Sequence, residues 1–223
     1  MVTNLAYFYE TSKKLRGGKW VWVKDSNGEQ RGNVLLGGTI LNPKKGFDHL
    51  YAAQLVQYTP ATGCLIFRSF ALKANAAANA TEYVLNGDGY SDAPEVGMVV
   101  MVAPEEVTTE GQSAKITNVV YDEANEKFTV TLDNTLGALS AGAILVEATG
   151  TEKAADATVL VPNPNTFIEA DRDLMPTEGY GIQNANYAIS TVYNKQAWIQ
   201  RMQPLPKYVL AKNRSYIDGI FWI

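Results

Sequence analysis

Cysteine and histidine are almost missing from this sequence: Cys64 and His49 are the only ones in 223 residues. A single thiol excludes an internal disulfide. Within Cys64-Leu65-Ile66-Phe67 it reads as a buried apolar group, not a reactive one. With no cysteine pair, no second histidine and no HExxH, a zinc site has no ligand set, and no metal or cofactor is expected. GxSxG is absent as well. A Ser, His and Asp set around His49 carries no motif, so His49 reads as a surface or structural residue. Gly87-Asp88-Gly89 lacks the third glycine of a dinucleotide fingerprint and no helical pattern follows it. No catalytic residue is nominated, and the chain is expected not to be an enzyme.

Long apolar runs are also lacking. Nothing approaches the roughly 18 to 20 residues that span a bilayer, so no membrane partner is expected. The first ten residues, Met1 to Glu10, show neither a basic start nor a long apolar core. No secretory signal is expected from them, which agrees with synthesis in a reducing compartment. A dense basic face is missing too. With a pI near 5.1, general nucleic-acid binding is not expected.

What the chain does hold is an uneven distribution of charge. Residues 74–150 contain twelve Asp or Glu against two lysines, a net charge of −10. The whole chain is −4, so the flanks carry +6. Only four of the 23 aromatic residues (Tyr83, Tyr90, Tyr121 and Phe128) fall inside that segment. This predicts two domains: an acidic inserted β domain over 74–150, and a discontinuous, aromatic, mildly basic base made of 1–73 and 151–223.

The pattern predicts a mainly β fold, with a small β-barrel or sandwich inserted into a second β-rich or α+β domain. Lys19-Trp20-Val21-Trp22-Val23-Lys24 is a strand candidate followed by the turn pair Asn27-Gly28. Its Trp20 and Trp22 share one face, which reads as core. Thr11 to Gly18 reads as an arm or loop, and Leu50 to Tyr58 and Cys64 to Leu72 read as two strands. In the insert, strands are expected at Glu82–Leu85, Val96–Val102, Ala114–Tyr121, Lys127–Leu132 and Ala143–Glu147. Phe128-Thr129-Val130-Thr131-Leu132 alternates strictly, the period of a half-buried strand, while Lys115 to Tyr121 alternates only approximately. Thr158 to Val161 reads as a further strand, and Ile182 to Met202 mixes helical and strand spacing.

Two carboxylate groupings remain. Asn86 to Asp92 has the outline of a calcium loop, but it lacks the glutamate that an EF-hand needs at its twelfth position, so it reads as a turn. Glu169-Ala170-Asp171-Arg172-Asp173 could supply a glycosidase pair only at a suitable spacing in space, and reads as a solvated or interface cluster. The end of the chain is strongly apolar. It is expected either to pair into the base sheet or to dock on another subunit, and Tyr208, Tyr216, Ile220, Phe221 and Trp222 are the candidate interface.

Gly38-Thr39-Ile40-Leu41-Asn42, Leu50-Tyr51-Ala52-Ala53-Gln54-Leu55-Val56 and Ala141-Gly142-Ala143-Ile144-Leu145 resemble segments of capsid decoration and head-fibre proteins of tailed bacteriophages. The β-rich modules from Val96 through Ile116 to Leu132 are similar in style. The resemblance implies a non-enzymatic virion structural protein bound to the outside of a phage head. It implies the major capsid protein as partner and a homo-oligomer, with a trimer favoured. No functional residue transfers with it. The competing expectation is a carbohydrate-binding or adhesion β module that uses exposed Trp and Tyr.

Overall fold

The computed structural model describes residues 30–32, 40–45, 48–51, 53–59, 62–88, 92–150, 153–168, 172–174, 191–193, 196–197, 202–216 and 221–222. In chain order, the described strands begin with β1 (Gln30–Gly32), β2 (Asp48–Leu50), β3 (Leu55–Thr59), β4 (Gly63–Ile66) and β5 (Ser69–Ala71). They continue with β6 (Glu82–Asn86), β7 (Val99–Val102), β8 (Ser113–Asp122), β9 (Lys127–Leu132) and β10 (Ile144–Glu147). Then come β11 (Thr166–Phe167), β12 (Arg172–Leu174), β13 (Thr191–Tyr193) and β14 (Gln196–Ala197), the helix α1 (Lys207–Tyr216), and β15 (Phe221–Trp222). The fold is mainly β, as the alternation implies.

The chain divides into two compact units. The first takes the described residues up to Phe67, those of Asn163–Met202, and those from Lys212 onward. The second takes Arg68–Pro162 and Gln203–Ala211. The second unit is wider than residues 74–150. β5 enters it by pairing with β10, and Ala157 and Val159 join it through bridges to Gly111 and Ala148.

In the first unit, β3 lies between β11 and β4 in an antiparallel sheet. Ile40, Leu50, Val56, Cys64, Ile66 and Ile168 form its buried cluster. The thiol of Cys64 is inside that cluster, a small apolar filler. β1 pairs with β13, β2 with β12, and β14 runs parallel to β15. The strand expected over Leu50–Tyr58 begins only at Leu55. Ala53 sits at φ 64 and Gln54 N–H reaches back to Tyr51 O at 3.0 Å, a turn that no strand accommodates.

The second unit is built on one antiparallel sheet in the order β5-β10-β7-β8-β9-β6. Its inward side chains, among them Phe70, Tyr83, Leu85, Val100, Ile116, Phe128, Val130 and Leu145, form one buried core. Along β9 burial alternates residue by residue, with Phe128, Val130 and Leu132 inward. β8 carries a bulge. Ile116 faces Leu132 and Asn118 faces Thr131, leaving Thr117 without a register partner. The first part of β8 pairs with β7 and the second with β9, so the bulge sits where the sheet turns its corner. The edge strands come together at one bridge, Leu72 to Leu85, with Lys73 N–H on Val84 O at 2.8 Å. The sheet curls but does not close into a barrel.

Two sequence expectations change, and one element is new. Cys64–Leu72 is two strands, because the chain leaves one sheet at Ile66 and joins the other at Ser69. Thr158–Val161 makes only one isolated bridge, Val159 to Ala148. Residues 207–216 form a helix, an element that the sequence pattern did not mark. Pro206 stands just before its first turn and its carbonyl accepts Val209 N–H at 3.0 Å and Leu210 N–H at 3.1 Å. The strand candidate at 19–24, the turn at Asn27-Gly28 and most of 182–202 lie outside the described residues.

Candidate functional site

Arg68 is the largest fully buried side chain of the described residues. It opens the second unit, immediately before β5. Its Nη1 donates to Glu147 Oε2 on β10 at 3.1 Å, and its Nε lies 3.2 Å from Asp92 Oδ2. Two nearly buried carboxylates therefore share one guanidinium. Asp92 is fixed further, because its Oδ1 accepts Ala93 N–H at 2.8 Å. Burial of such groups is tolerable only when they face one another, since each alone would lose several kcal/mol of hydration. The triplet ties the entry to β5, the segment before β7, and β10. The adjacent Ser69 hydroxyl donates to Pro204 O at 2.5 Å and holds the returning chain.

A shallow cleft of about 210 Å³ lies on the same unit, lined by Ala103, Pro104, Glu105, Gly142, Ile144 and Lys207, with Pro206. Its rim carries the Lys207–Glu105 ion pair. That hydrogen bond and charge hold the Glu105 carboxyl below the usual carboxylate range. Both groups are exposed, so the pair contributes little to stability. The cleft suits a small apolar group beside a matched pair of charges.

The third feature is the β8–β9 hairpin. On its outer face, Val84, Thr129 and Val120 stand in one row across β6, β9 and β8. Val120 is 54% exposed, the highest among the large hydrophobics of the described residues. The tip is well anchored. Lys73 Nζ donates to the carbonyls of Asn125 at 2.5 Å and Glu126 at 3.2 Å, and Gly87 N–H reaches Glu126 O at 2.9 Å. The Asn125 side chain donates to Asp122 Oδ2 at 2.8 Å and lowers that carboxyl's pKa, aided by Lys127 at 3.6 Å and opposed by partial desolvation.

No protein-family model matches the chain, and no curated protein sequence matches it. The site is therefore described from its own geometry.

The candidate interface residues are divided between the two units, Tyr208 in the second and Tyr216, Phe221 and Trp222 in the first. Tyr208 is 2% exposed inside the second unit, where desolvation raises its hydroxyl above the ordinary tyrosine range. Its ring is buried within its own chain. Tyr216 ends α1, and Phe221 and Trp222 form β15 beside Gln196 and Ala197. Ile220 lies outside the described residues. Of the carboxylate clusters, Glu169 and Asp171 also lie outside them, while Asp173 on β12 is in register with His49 on β2. In the calcium-like outline, Asp92 is committed to Arg68 and Gly89 to Ser91 are outside the described residues.

Arg68 and Glu147 went unnoticed in the sequence, yet each carried a signal. Arg68 interrupts the apolar run Cys64–Leu72, and Glu147 ends the run from Ala143 to Val146. A charge placed on a buried strand requires a buried counter-charge. Nothing in the spacing of 68, 92 and 147 announces that they meet.

Proposed function

We propose that the chain is a non-enzymatic structural protein of the exterior of a tailed-phage head, acting as an oligomer of the decoration or head-fibre type on the major capsid protein. The observation that carries this reading is the partition of charge between two compact units. The second unit has fourteen acidic residues against six basic ones, a net charge of −8, and the remainder of the chain is therefore +4. An acidic β unit with its own core, joined to a basic and aromatic base, suits a protein that rests on one surface and projects into solvent. The resemblance of the glycine–β segments to decoration and head-fibre proteins supports the same reading.

In this arrangement the base faces the shell and the acidic unit faces outward. Co-sedimentation of the purified chain with phage heads tests the reading directly. Saturable binding that weakens with salt is expected. A chain that stays in the supernatant with heads but is retained on a glycan array would replace this reading with an adhesion module. A complex with the acidic unit buried against the shell would reverse the orientation.

A further inference from the structure

The two faces of the sheet formed by β6, β9 and β8 differ. One buries Tyr83, Leu85, Phe128 and Val130 in the core of the second unit. The other meets solvent in three rows that run across the strands. The middle row is Val84, Thr129 and Val120, with Val120 54% exposed. On one side of it stand Glu82, Thr131 and Asn118, and on the other Asn86, Lys127 and Asp122. Glu82 and Asn118 are exposed, and Val84, Thr129 and Thr131 are half-buried. The face is thus an uncharged stripe of valine and threonine. Glu82 lies in one flanking row, and Lys127 lies in the other, with its Nζ 3.6 Å from Asp122 Oδ2. An exposed apolar stripe rimmed by polar groups marks a contact surface.

We propose that this face pairs with the same face of a second copy, about a two-fold axis that runs along the middle row. The proposal rests on the homo-oligomer part of the reading above and deepens it. It gives assembly in pairs instead of the trimer that the resemblance implies. Charge selects both the occupant and the axis. With the axis along the row, each middle residue meets its own counterpart and the flanking rows change places. Lys127 then faces Thr131 of the second copy, one strand spacing of about 4.8 Å from that copy's Glu82, within the combined reach of the two side chains. Glu82 faces Asn86 and Asp122 faces Asn118, so no like charges are opposed and a Lys127–Glu82 pair forms on each side. With the axis along the strands, Lys127 would face its own counterpart, a like-charge contact. An axis across the strands also stacks the two sheets with their strands aligned, an ordinary sheet-on-sheet geometry. Three rows of three side chains fall well short of the roughly 20–30 residues a side of a standard interface, so the pair is expected to be weak and reversible.

The test is sedimentation equilibrium of the full chain over a concentration series at physiological salt, where the net −8 of each second unit is screened beyond about 8 Å. The wild-type mass is expected to rise from 24.4 kDa toward twice that value. Glu82→Lys sets lysine against lysine across the axis, and Lys127→Glu sets carboxylate against carboxylate. Each is expected to weaken association by about tenfold or more, with an unchanged far-UV circular dichroism spectrum. An equimolar mixture of the two variants restores an opposite-charge pair on each side of the axis, and its association is expected to return to near the wild-type level. A wild-type chain that stays monomeric throughout the series, or plateaus at three copies, overturns the proposal. So does a folded single variant that associates like wild type, or a mixture no heavier than its components. If Lys127→Glu does not fold, Glu82→Lys and Thr129→Arg decide, and either one, folded and associated like wild type, overturns it. Co-sedimentation with heads separates the two ideas. A wild-type monomer that binds heads removes the pairing alone, whereas a charge-sensitive dimer that ignores heads removes the head-surface role alone.

Discussion

Replacing Arg68 by methionine is the perturbation with the largest calculable consequence. The side chain is fully buried, and the variant removes the guanidinium shared by Asp92, 2% exposed, and Glu147, 9% exposed. Breaking one partner out of a buried ion cluster costs about 3–5 kcal/mol, because the remaining charge keeps its desolvation and loses its compensation. With a urea slope of about 2 kcal/mol/M, the midpoint should fall by roughly 2 M. Asp92→Asn should cost less, about 1–3 kcal/mol, since Glu147 still neutralises the guanidinium and the Asn oxygen can still accept Ala93 N–H. Combining Arg68→Met, Asp92→Asn and Glu147→Leu should recover most of the single-variant loss, because an apolar replacement removes the desolvation along with the pairing. The assay is urea unfolding followed by far-UV circular dichroism. Tryptophan fluorescence is a useful second channel, because Trp20, Trp22, Trp198 and Trp222 all belong to the first unit in sequence. It should move less than circular dichroism if the loss stays in the second unit. A loss below about 1 kcal/mol for Arg68→Met, or a triple variant worse than the single one, would refute the reasoning.

Gly87→Ala should destabilise by about 1–3 kcal/mol in a thermal melt, since the new Cβ would lie 2.9 Å from the Tyr121 ring and 3.1 Å from the backbone of Glu126 and Lys127. Gly111→Ala meets only the mobile end of Met101 at 2.9 Å and should melt within a few degrees of wild type. At Gly142 there is space for a Cβ, but φ is +86, so Gly142→Ala should lose about 1 kcal/mol through strain alone. Lys207→Ala should return the Glu105 carboxyl toward its ordinary value of 4.5, read by NMR titration. Because the folded pKa of Glu105 is depressed, the pair's stabilising contribution is present above that value. It disappears as the pH falls through the folded pKa, and the variant should lose this dependence.

The parts of the fold that could be read from the sequence are those governed by neighbouring residues. The β8–β9 hairpin was visible because strict alternation in β9 and the polar connection Asp122 to Glu126 both act locally. The split at Phe67 and Arg68 was not visible, because nothing local distinguishes one long strand from two strands in different sheets. Helix α1 was missed for a related reason. It has only ten residues, and Tyr208, Val209 and Tyr216 favour strands, so its burial of Tyr208 and Val209 depends on what packs there. The Arg68 triplet was half legible. A charge inside an apolar run demands a partner, but Glu147 is 79 positions away, a distance no spacing rule spans.

The bulge at Thr117 changes how β8 must be read as a pattern. Before it, the even positions Ala114 and Ile116 are buried, and after it the odd positions Val119 and Tyr121 are the less exposed ones. The imperfect alternation of this segment is therefore two regular half-strands of opposite parity joined by a single spacer. Deleting Thr117 would restore one unbroken parity and keep every inward residue inward. The sequence pattern thus tolerates the deletion, and only the bend does not. One residue that adds nothing to the core acts as the hinge pin of the corner, and its deletion would alter the shape of the sheet while leaving its hydrophobic pattern intact.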